Sequence, residues 1–176
     1  LRDDELPRLA RIYNLHRRYR DILVDGLVLP EDRFGPSAVS RGDDGTRLVT
    51  LRNLSWEPVR RTVPLDETLG LSTGKPVEVR RLHPHERVLG RFEPGESVEV
   101  EVLPFRSLLL LATTESIDEP AVIGCDYDLV QDVPGKPARL RLLGEPGSVA
   151  EVRVVGPRQG AGMLDGERVE LARRDG

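Results

Sequence analysis

The chain has 176 residues, of which 38% are apolar and only 4% aromatic, so it is long enough for a packed core built mainly of valine and leucine. Its net charge of −4, with 32% charged residues, describes a mixed surface rather than the basic groove of a nucleic-acid-binding protein. No segment approaches the roughly 18 to 20 apolar residues that cross a bilayer, so neither nucleic acid nor a membrane is expected as a partner. The single cysteine, Cys125, excludes an internal disulfide framework and a multi-cysteine metal site.

Residues 5–24 contain the one predicted long helix. Pro7 suits a first helical turn, and Gly26 can end the helix. Apolar side chains recur at helical spacing and define one broad face, which no second helix is predicted to cover. This face therefore packs either on the β-rich part of the chain or on a domain upstream. Its residues are Leu9, Ile12, Tyr13, His16, Tyr19 and Leu23, with Leu15 and Ile22 widening it.

Residues 27–114 show the pattern of an antiparallel β-sandwich, with turn signals roughly every eight to twelve residues. Glycine, proline and aspartate clusters mark the turns, and the runs between them are rich in valine and leucine. Strands are predicted at 27–29, 46–54, 59–63, 77–82 and 87–92, and loops at 31–45, with a tight turn at Asp43, Asp44 and Gly45, and at 64–76.

The stretch 97–113 closes the predicted sandwich. Three valines at 98, 100 and 102 alternate with Glu99 and Glu101, which is typical of a strand with one dry and one wet face. Pro104 interrupts this strand because it lacks the N–H that a central strand needs. The four leucines at 108–111 are apolar on both faces and predict a fully buried strand.

Residues 115–176 predict a second, smaller β-rich module. About four strands in roughly 60 residues give a marginal core, so this module either leans on the sandwich or is incomplete. The predicted organisation is a helix at 1–26, a sandwich at 27–114 and the smaller module at 115–176. Its predicted strands are 122–130, 138–143, 149–155 and 168–172.

The three histidines lie in two parts of the chain that are candidate chemical sites. His83, His85 and Glu86 lie within four residues and carry groups that bind metals. Structural zinc sites use wider spacing with cysteine or further histidines, so a polar turn between two strands is the favoured interpretation. His16 has no acid at the neighbouring helical positions, which favours a core or interface histidine over a catalytic base.

The remaining polar residues give no catalytic pattern. Glycosidic chemistry needs two carboxylates held across a cleft, and no pair can be placed in that way. Cys125 has no neighbouring Lys or His and is interpreted as a small strand residue. No nucleophile elbow, phosphate loop or dinucleotide fingerprint is present, so no catalytic residue, metal or cofactor is predicted. The acid pairs interpreted as surface charge are Asp43 and Asp44, Glu99 and Glu101, and Asp126 and Asp128.

Trp56 is the one residue with a predicted recognition role. A tryptophan on a loop can stack on a sugar ring, since its flat apolar face matches the C–H face of a pyranose. The favoured interpretation is nevertheless that Trp56 caps the sandwich or packs against the helix. Asn53, Leu54 and Ser55 also match the glycosylation sequon, but their place at a strand end argues against its use.

Residues 9–30, 47–71 and 77–113 together resemble the C-terminal end of bacterial glycoside hydrolases of the α-galactosidase (melibiase) type and their uncharacterised relatives. The resemblance covers roughly residues 8–114. It implies that the last helix of a catalytic TIM barrel leads into a C-terminal antiparallel β-sandwich. These segments are LARIYNLHRRYRDILVDGLVLP, RLVTLRNLSWEPVRRTVPLDETLGL and VEVRRLHPHERVLGRFEPGESVEVEVLPFRSLLLLAT, and CDYDLVQDVPGKPARLRLLGEPGSVAEVRVV resembles a further β-module found behind such sandwiches.

This resemblance carries no active site, because the catalytic aspartates of such enzymes lie on barrel strands and no motif for them exists here. A start at Leu1 rather than at methionine also favours a piece of a longer protein. The first hypothesis is therefore a non-catalytic C-terminal region that supports an upstream catalytic barrel. The helix face would contact that barrel, or a second copy of the chain. The alternative is a carbohydrate-binding module that uses Trp56, and a hydrolase acting at His83, His85 and Glu86 is disfavoured.

Overall fold

A computed structural model describes residues 5–72, 74–117, 119–133, 135–147, 149, 151–155 and 162–169. Its secondary structure is mainly β, with antiparallel sheets and an N-terminal helix, so the predicted fold class is confirmed. The first elements are α1 (Leu6–Tyr19), β1 (Gly26–Val28), α2 (Glu31–Phe34), β2 (Val39–Gly42), β3 (Thr46–Arg52), β4 (Val59–Pro64), β5 (Val77–His83), β6 (Arg87–Phe92), β7 (Ser97–Val102) and β8 (Ser107–Thr113).

A six-stranded antiparallel sheet and a two-stranded sheet form the sandwich. The larger sheet has the strand order β1-β2-β3-β8-β5-β6, and the smaller one pairs β4 with β7. Val98, Val100 and Val102 alternate with exposed residues along β7, as their spacing predicts, and pack into the core between the sheets. The facing side chains of the larger sheet include Val49, Leu51, Val79, Leu108 and Leu110.

Strand β8 is buried on both faces because the larger sheet packs against two different layers. Leu108 and Leu110 face the core between the sheets, whereas Leu111 belongs to a second cluster with Leu15 of α1. Leu109 packs against the same second cluster. The four-leucine run is therefore the buried strand that the sequence predicts, and its outer face is the platform on which α1 lies.

Helix α1 is turned differently from the predicted orientation. Its buried residues are Arg11 and Leu15, with Tyr19 and Leu23 packed beside them, so positions four apart form the inner ridge. Ile12 is 54% exposed and Tyr13 is 57% exposed. Ile12 and Tyr13 therefore do not lie on the inner side of the helix with Tyr19. The prediction of a single apolar face that contains all three residues is wrong.

The predicted loop at 31–45 contains two short elements, which corrects that prediction. Helix α2 begins after Pro30 and buries Phe34, and β2 pairs with β3 from Val39 to Gly42. Both elements have only four residues, which is too short for a periodic pattern. The tight turn is confirmed, since Asp43 Oδ1 accepts hydrogen bonds from the amides of Gly45 and Thr46.

The loop at 64–76 contains no helix or strand beyond Pro64 in its described residues. Leu65, Leu69 and Leu71 are nevertheless buried in the core between the sheets. Asp66 Oδ1 accepts a hydrogen bond from the Thr68 amide at 2.8 Å. The loop is therefore fixed by its own buried leucines although it has no regular secondary structure.

Beyond residue 114 the described strands form three antiparallel pairs. The predicted strand at 122–130 is interrupted at Gly124, whose φ is 111° and whose added Cβ would lie 2.3 Å from the Glu151 carbonyl oxygen. Part of the predicted strand at 168–172 lies outside the described residues, and the boundary at 115 remains a prediction. The strands are β9 (Ala121–Ile123), β10 (Asp126–Gln131), β11 (Arg139–Leu143), β12 (Arg153–Val155), β13 (Gly162–Leu164) and β14 (Glu167–Val169), and the pairs are β9 with β12, β10 with β11 and β13 with β14.

This second region packs on the sandwich and on the helix. Strand β9 contacts β6, and β10 contacts α1. The backbones of Glu86 and Tyr127 exchange two hydrogen bonds, of 2.8 and 2.9 Å, which join the β5–β6 turn to β10. Tyr127 is fully buried in a small cluster with Ala121 and Val122, against which Val88 packs. A part of β10 is thus enclosed between the sandwich and α1.

We expect Leu111→Ala and Leu110→Ala each to lower the free energy of unfolding by about 2–5 kcal/mol, because each removes a buried leucine side chain. Only Leu111 packs in the cluster that contains Leu15, so only its substitution should also accelerate amide exchange in α1. Urea unfolding and hydrogen–deuterium exchange measure the two effects. Equal loss of α1 protection in both variants would contradict the assignment of the two faces.

Candidate functional site

A buried arginine attaches α1 to the β-rich body. Arg11 is 7% exposed, and its Nε and Nη2 donate to the carboxylate of Glu86 at 2.8 and 3.2 Å. Nη2 also donates to Glu119 at 2.9 Å, and Nη1 donates to Asp132 at 3.0 Å. We call these four residues the Arg11 cluster. All three nitrogens of this guanidinium already donate to protein carboxylates.

Neighbouring residues extend the cluster. Asn14 Nδ2 donates to the Asp132 carbonyl oxygen at 2.8 Å, and Arg18 Nη1 donates to Glu119. The three acids come from the β5–β6 turn, from the segment before β9 and from the residue that follows β10. The cluster thus fixes α1 to three separate parts of the chain.

Burial and charge act in opposite directions on the acids of the cluster. Burial raises the pKa of Glu86 above its ordinary value, although the charge of Arg11 acts against this rise. Burial acts in the same direction on Glu119, but hydrogen bonds and charges from Arg11 and Arg18 outweigh it and lower the pKa of Glu119. Burial would lower the pKa of Arg11, but Glu86 and Glu119 raise it, so the guanidinium stays charged.

Tyr127 lies in the same region with an unusual hydroxyl group. Its Oη is buried and has no hydrogen-bond partner among the described residues. Burial, and then the negative charge of Glu86, raise the pKa of Tyr127 well above its ordinary value, so the phenol stays neutral. The neutral phenol and the guanidinium, whose three nitrogens all donate to carboxylates, form a buried polar joint between α1 and the β-rich body.

Most of the Arg11 cluster was missed from the sequence. Sequence patterns place Glu86 only in the histidine turn and do not connect it with Arg11, Glu119 or Asp132. The three acids lie 75, 108 and 121 residues beyond Arg11, so no local pattern connects them. One weak sequence signal for the burial of Arg11 exists. Arg11 precedes Leu15 by four residues, so the two side chains lie on the same face of the helix.

The histidine turn is held by neighbours that already use its polar groups. His85 Nδ1 lies 2.8 Å from Asp128 Oδ1, and Glu86 binds Arg11. Arg8 donates to the Pro84 carbonyl oxygen and lies 3.4 Å from His83 Nδ1. Burial, and then Arg8, lower the pKa of His83, which favours the neutral ring. Throughout the described part of the chain, no three His, Cys, Asp or Glu side chains form a group that could hold a metal.

Three other sequence interpretations need correction. His16 is exposed on α1, so the core interpretation is wrong, whereas the interface interpretation remains a prediction. Cys125 lies in the turn between β9 and β10 and packs beside Tyr127, not within a strand. Asp126 and Asp128 are not plain surface charge, because Asp126 binds two arginines and Asp128 contacts His85. Glu99 and Glu101 are exposed, as the alternation along β7 predicts.

A second candidate site lies on two loops beside the sandwich. Trp56 is 84% exposed, and its ring meets that of Phe105 at a centroid distance of 4.7 Å and an angle of 82°. Leu54 and Leu103 are also exposed on these loops. We call these four residues the aromatic platform. Because Trp56 is so exposed, the favoured interpretation that it caps the sandwich or packs against the helix is wrong, and its role in sugar recognition remains a prediction.

Asn53 holds the two loops of the platform together. It is 2% exposed, and its Nδ2 donates to the carbonyl oxygens of Val102 and Glu57 at 2.9 and 2.8 Å. Its Oδ1 accepts from the Ser55 amide at 2.8 Å, and its own amide donates to the Arg106 carbonyl oxygen at 2.9 Å. The buried amide nitrogen is thus fully engaged, which makes the sequon inaccessible in the folded protein.

Comparisons with protein-family models, with curated proteins and with solved structures give no match for this chain. The resemblance to the C-terminal region of glycoside hydrolases therefore remains a prediction from the sequence. Among the described residues, no helix is long and apolar enough to cross a membrane.

We expect Arg11→Leu to lower the free energy of unfolding by about 3–5 kcal/mol at pH 7, because buried carboxylates lose their cation. Without Arg11 the folded-state pKa values of Glu86 and Glu119 rise. The folded state then takes up protons more readily than the unfolded state, so acidification favours folding. The difference in the free energy of unfolding between Arg11→Leu and the wild type should shrink as the pH falls from 7 toward the ordinary glutamate pKa of about 4.3.

Chemical denaturation followed by circular dichroism at several pH values measures this change. Arg91→Leu serves as the control because Arg91 is an exposed arginine on β6, and its effect should be small at every pH. An Arg11→Leu penalty that stays constant with pH would contradict the electrostatic account of the cluster.

Proposed function

We propose that this chain is the non-catalytic accessory region of a glycoside hydrolase and that it supports an upstream catalytic barrel through the outer side of α1. The observation that carries the proposal is the orientation of this helix. Its inner ridge is fixed by Arg11 and Leu15, while Ile12 and Tyr13 on the other side stay exposed. The sequence resemblance supplies the class of the partner.

The attachment of α1 suits a mechanical connection. A helix held only by a few leucines could slide or rotate, but a charged group with fixed donors must keep its register. The Arg11 cluster specifies one orientation, so the exposed apolar side is presented in a constant position. Ile12 and Tyr13 are adjacent exposed apolar residues, and apolar patches at a surface are typical of contacts with another protein.

We expect the double substitution Ile12→Ser and Tyr13→Ser to leave the isolated chain as stable as the wild type, since both side chains are more than half exposed. In a longer protein that includes the domain encoded upstream, the same change should weaken the contact between the two parts. Burying an isoleucine alone contributes about 1.5–3 kcal/mol. Differential scanning calorimetry and limited proteolysis of both proteins measure the effect.

Val28→Ser is the control, because Val28 is also an exposed aliphatic residue but belongs to β1 instead of α1. The proposal fails if the double variant behaves like this control in the longer protein, or if no catalytic barrel is encoded upstream. Sedimentation of the isolated chain tests whether a second copy of the chain, instead of an upstream domain, covers the outer side of α1. Dimers that disappear in the double variant would assign this side to self-association.

A second candidate function is carbohydrate binding at Trp56, and the exposure of this residue favours it. At 84% exposure, at least one face of the indole is open even with Phe105 against the ring. An open aromatic face on a loop held by Asn53 is suited to stacking against the C–H face of a sugar. No catalytic group is required for this function.

We expect Trp56→Ala to weaken binding of the isolated chain to soluble oligosaccharides about five-fold or more, which corresponds to the loss of roughly 1 kcal/mol of aromatic contact. Affinity electrophoresis against a panel of glucans, mannans and galactans measures the change. Tyr13→Ala is the control, because it removes an exposed aromatic residue from α1 instead. Equal mobility of the wild type in the presence and absence of every glycan would exclude this candidate function.

A further inference from the structure

The turn between β7 and β8 holds Phe105 in a backbone conformation that bulky residues rarely adopt. The Arg106 amide donates to the Leu103 carbonyl oxygen at 3.1 Å across the turn, and Phe105 has a φ of 53°. Proline in the second position and a positive φ in the third are features of a type II turn. The third position favours glycine, because a Cβ there comes too close to the following carbonyl oxygen.

The phenylalanine ring does not compensate for this strain by filling the core. Phe105 is 48% exposed, and the ring it contacts belongs to Trp56, which is itself exposed. Glycine at this position would form the same turn without strain. Strained residues of this kind are concentrated at binding sites, where the strained position places a side chain that a ligand uses.

The angle between the two rings restricts the shape of a ligand that can stack on both of them. Rings that lie in one plane can stack together on the flat face of a crystalline polysaccharide. The rings of Trp56 and Phe105 are inclined at 82° and cannot both do so. A soluble chain that turns between successive sugars can instead present one sugar to each ring.

Polar side chains that can bind sugar hydroxyl groups lie next to the aromatic platform in sequence. Arg52 is exposed at the end of β3, Glu57 is exposed on the loop that carries Trp56, and Arg106 is exposed directly after Phe105. The guanidinium groups supply hydrogen-bond donors, and the carboxylate supplies acceptors. Apolar ring faces bordered by such groups match the alternating C–H and hydroxyl surfaces of a sugar.

We propose that Phe105 and Trp56 together form a two-ring site for a soluble oligosaccharide, with one sugar against each ring and the chain turning between them. This inference rests on the carbohydrate binding proposed above. It adds Phe105 as a second ligand-binding residue and excludes flat crystalline polysaccharide as the ligand. Asn53 is the positioning residue, since its hydrogen bonds hold both loops.

Two substitutions of Phe105 test the proposal. Phe105→Gly removes the ring and the strain, whereas Phe105→Ala removes the ring and keeps the strain, because alanine still has a Cβ. Both variants should bind soluble hexasaccharides of glucose or mannose about five-fold or more weakly than the wild type in isothermal titration calorimetry. The glycine variant should nevertheless melt roughly 2–4 °C above the alanine variant.

The wild type, both Phe105 variants and Trp56→Ala are compared in titrations and in pull-down with microcrystalline cellulose. Soluble binding that is about five-fold or more weaker in all three variants, without retention of the wild type on cellulose, supports the proposal. If Trp56→Ala loses binding and the Phe105 variants keep it, the two-ring site is overturned while carbohydrate binding stands. Specific retention on cellulose would overturn the ligand class. A wild type that binds none of these sugars would overturn both proposals.

Discussion

The position of helix α1 depends on one buried guanidinium group. A buried charge is very costly unless charged and hydrogen-bonding partners surround it, so Arg11 can leave water only where Glu86, Glu119 and Asp132 already converge. Leu15 and its apolar neighbours contribute binding energy to the helix but little directional preference. The arginine supplies the direction, because its planar group donates along fixed lines to three different acids.

Fixing Arg11 inward has a geometric consequence for the rest of α1. Successive residues of a helix are about 100° apart, so Ile12 and Tyr13 are rotated away from the body when Arg11 and Leu15 face it. The aromatic platform follows the same plan, since Asn53 is buried and Trp56, three positions later, is exposed. At both surfaces a buried polar side chain with several partners holds apolar side chains outside the core.

Sequence patterns predicted the strands in which apolar residues follow a regular pattern. The alternation in β7 and the four leucines of β8 are periodic, and the structure confirms both strands. Helix α2 and strand β2 were missed because four residues are too few to show a period. The inner side of α1 was misjudged because an arginine occupies the position at which the pattern expects an apolar residue. Its partners are distant in the chain, and Tyr127 is buried between residues that look like surface acids.

The residues of the aromatic platform also depend on properties that the sequence does not show. Trp56 is the single tryptophan of the chain, but composition alone does not distinguish a core tryptophan from an exposed one. Phe105 follows Pro104 in a turn, and only the backbone angle shows that its position is one that glycine prefers. The exposed fraction and the dihedral angle are properties of the folded chain, which is why these residues could not be ranked from the sequence.

The sequence separation within the Arg11 cluster also has a consequence for the order of folding. The last of its acids, Asp132, is synthesised 121 residues after Arg11. Contacts that close such long loops form late, because the entropy of loop closure must first be overcome. During synthesis the helix therefore leaves the ribosome long before its own anchor exists. The register of α1 on the β-rich body is therefore fixed only after the second β-rich region has been made.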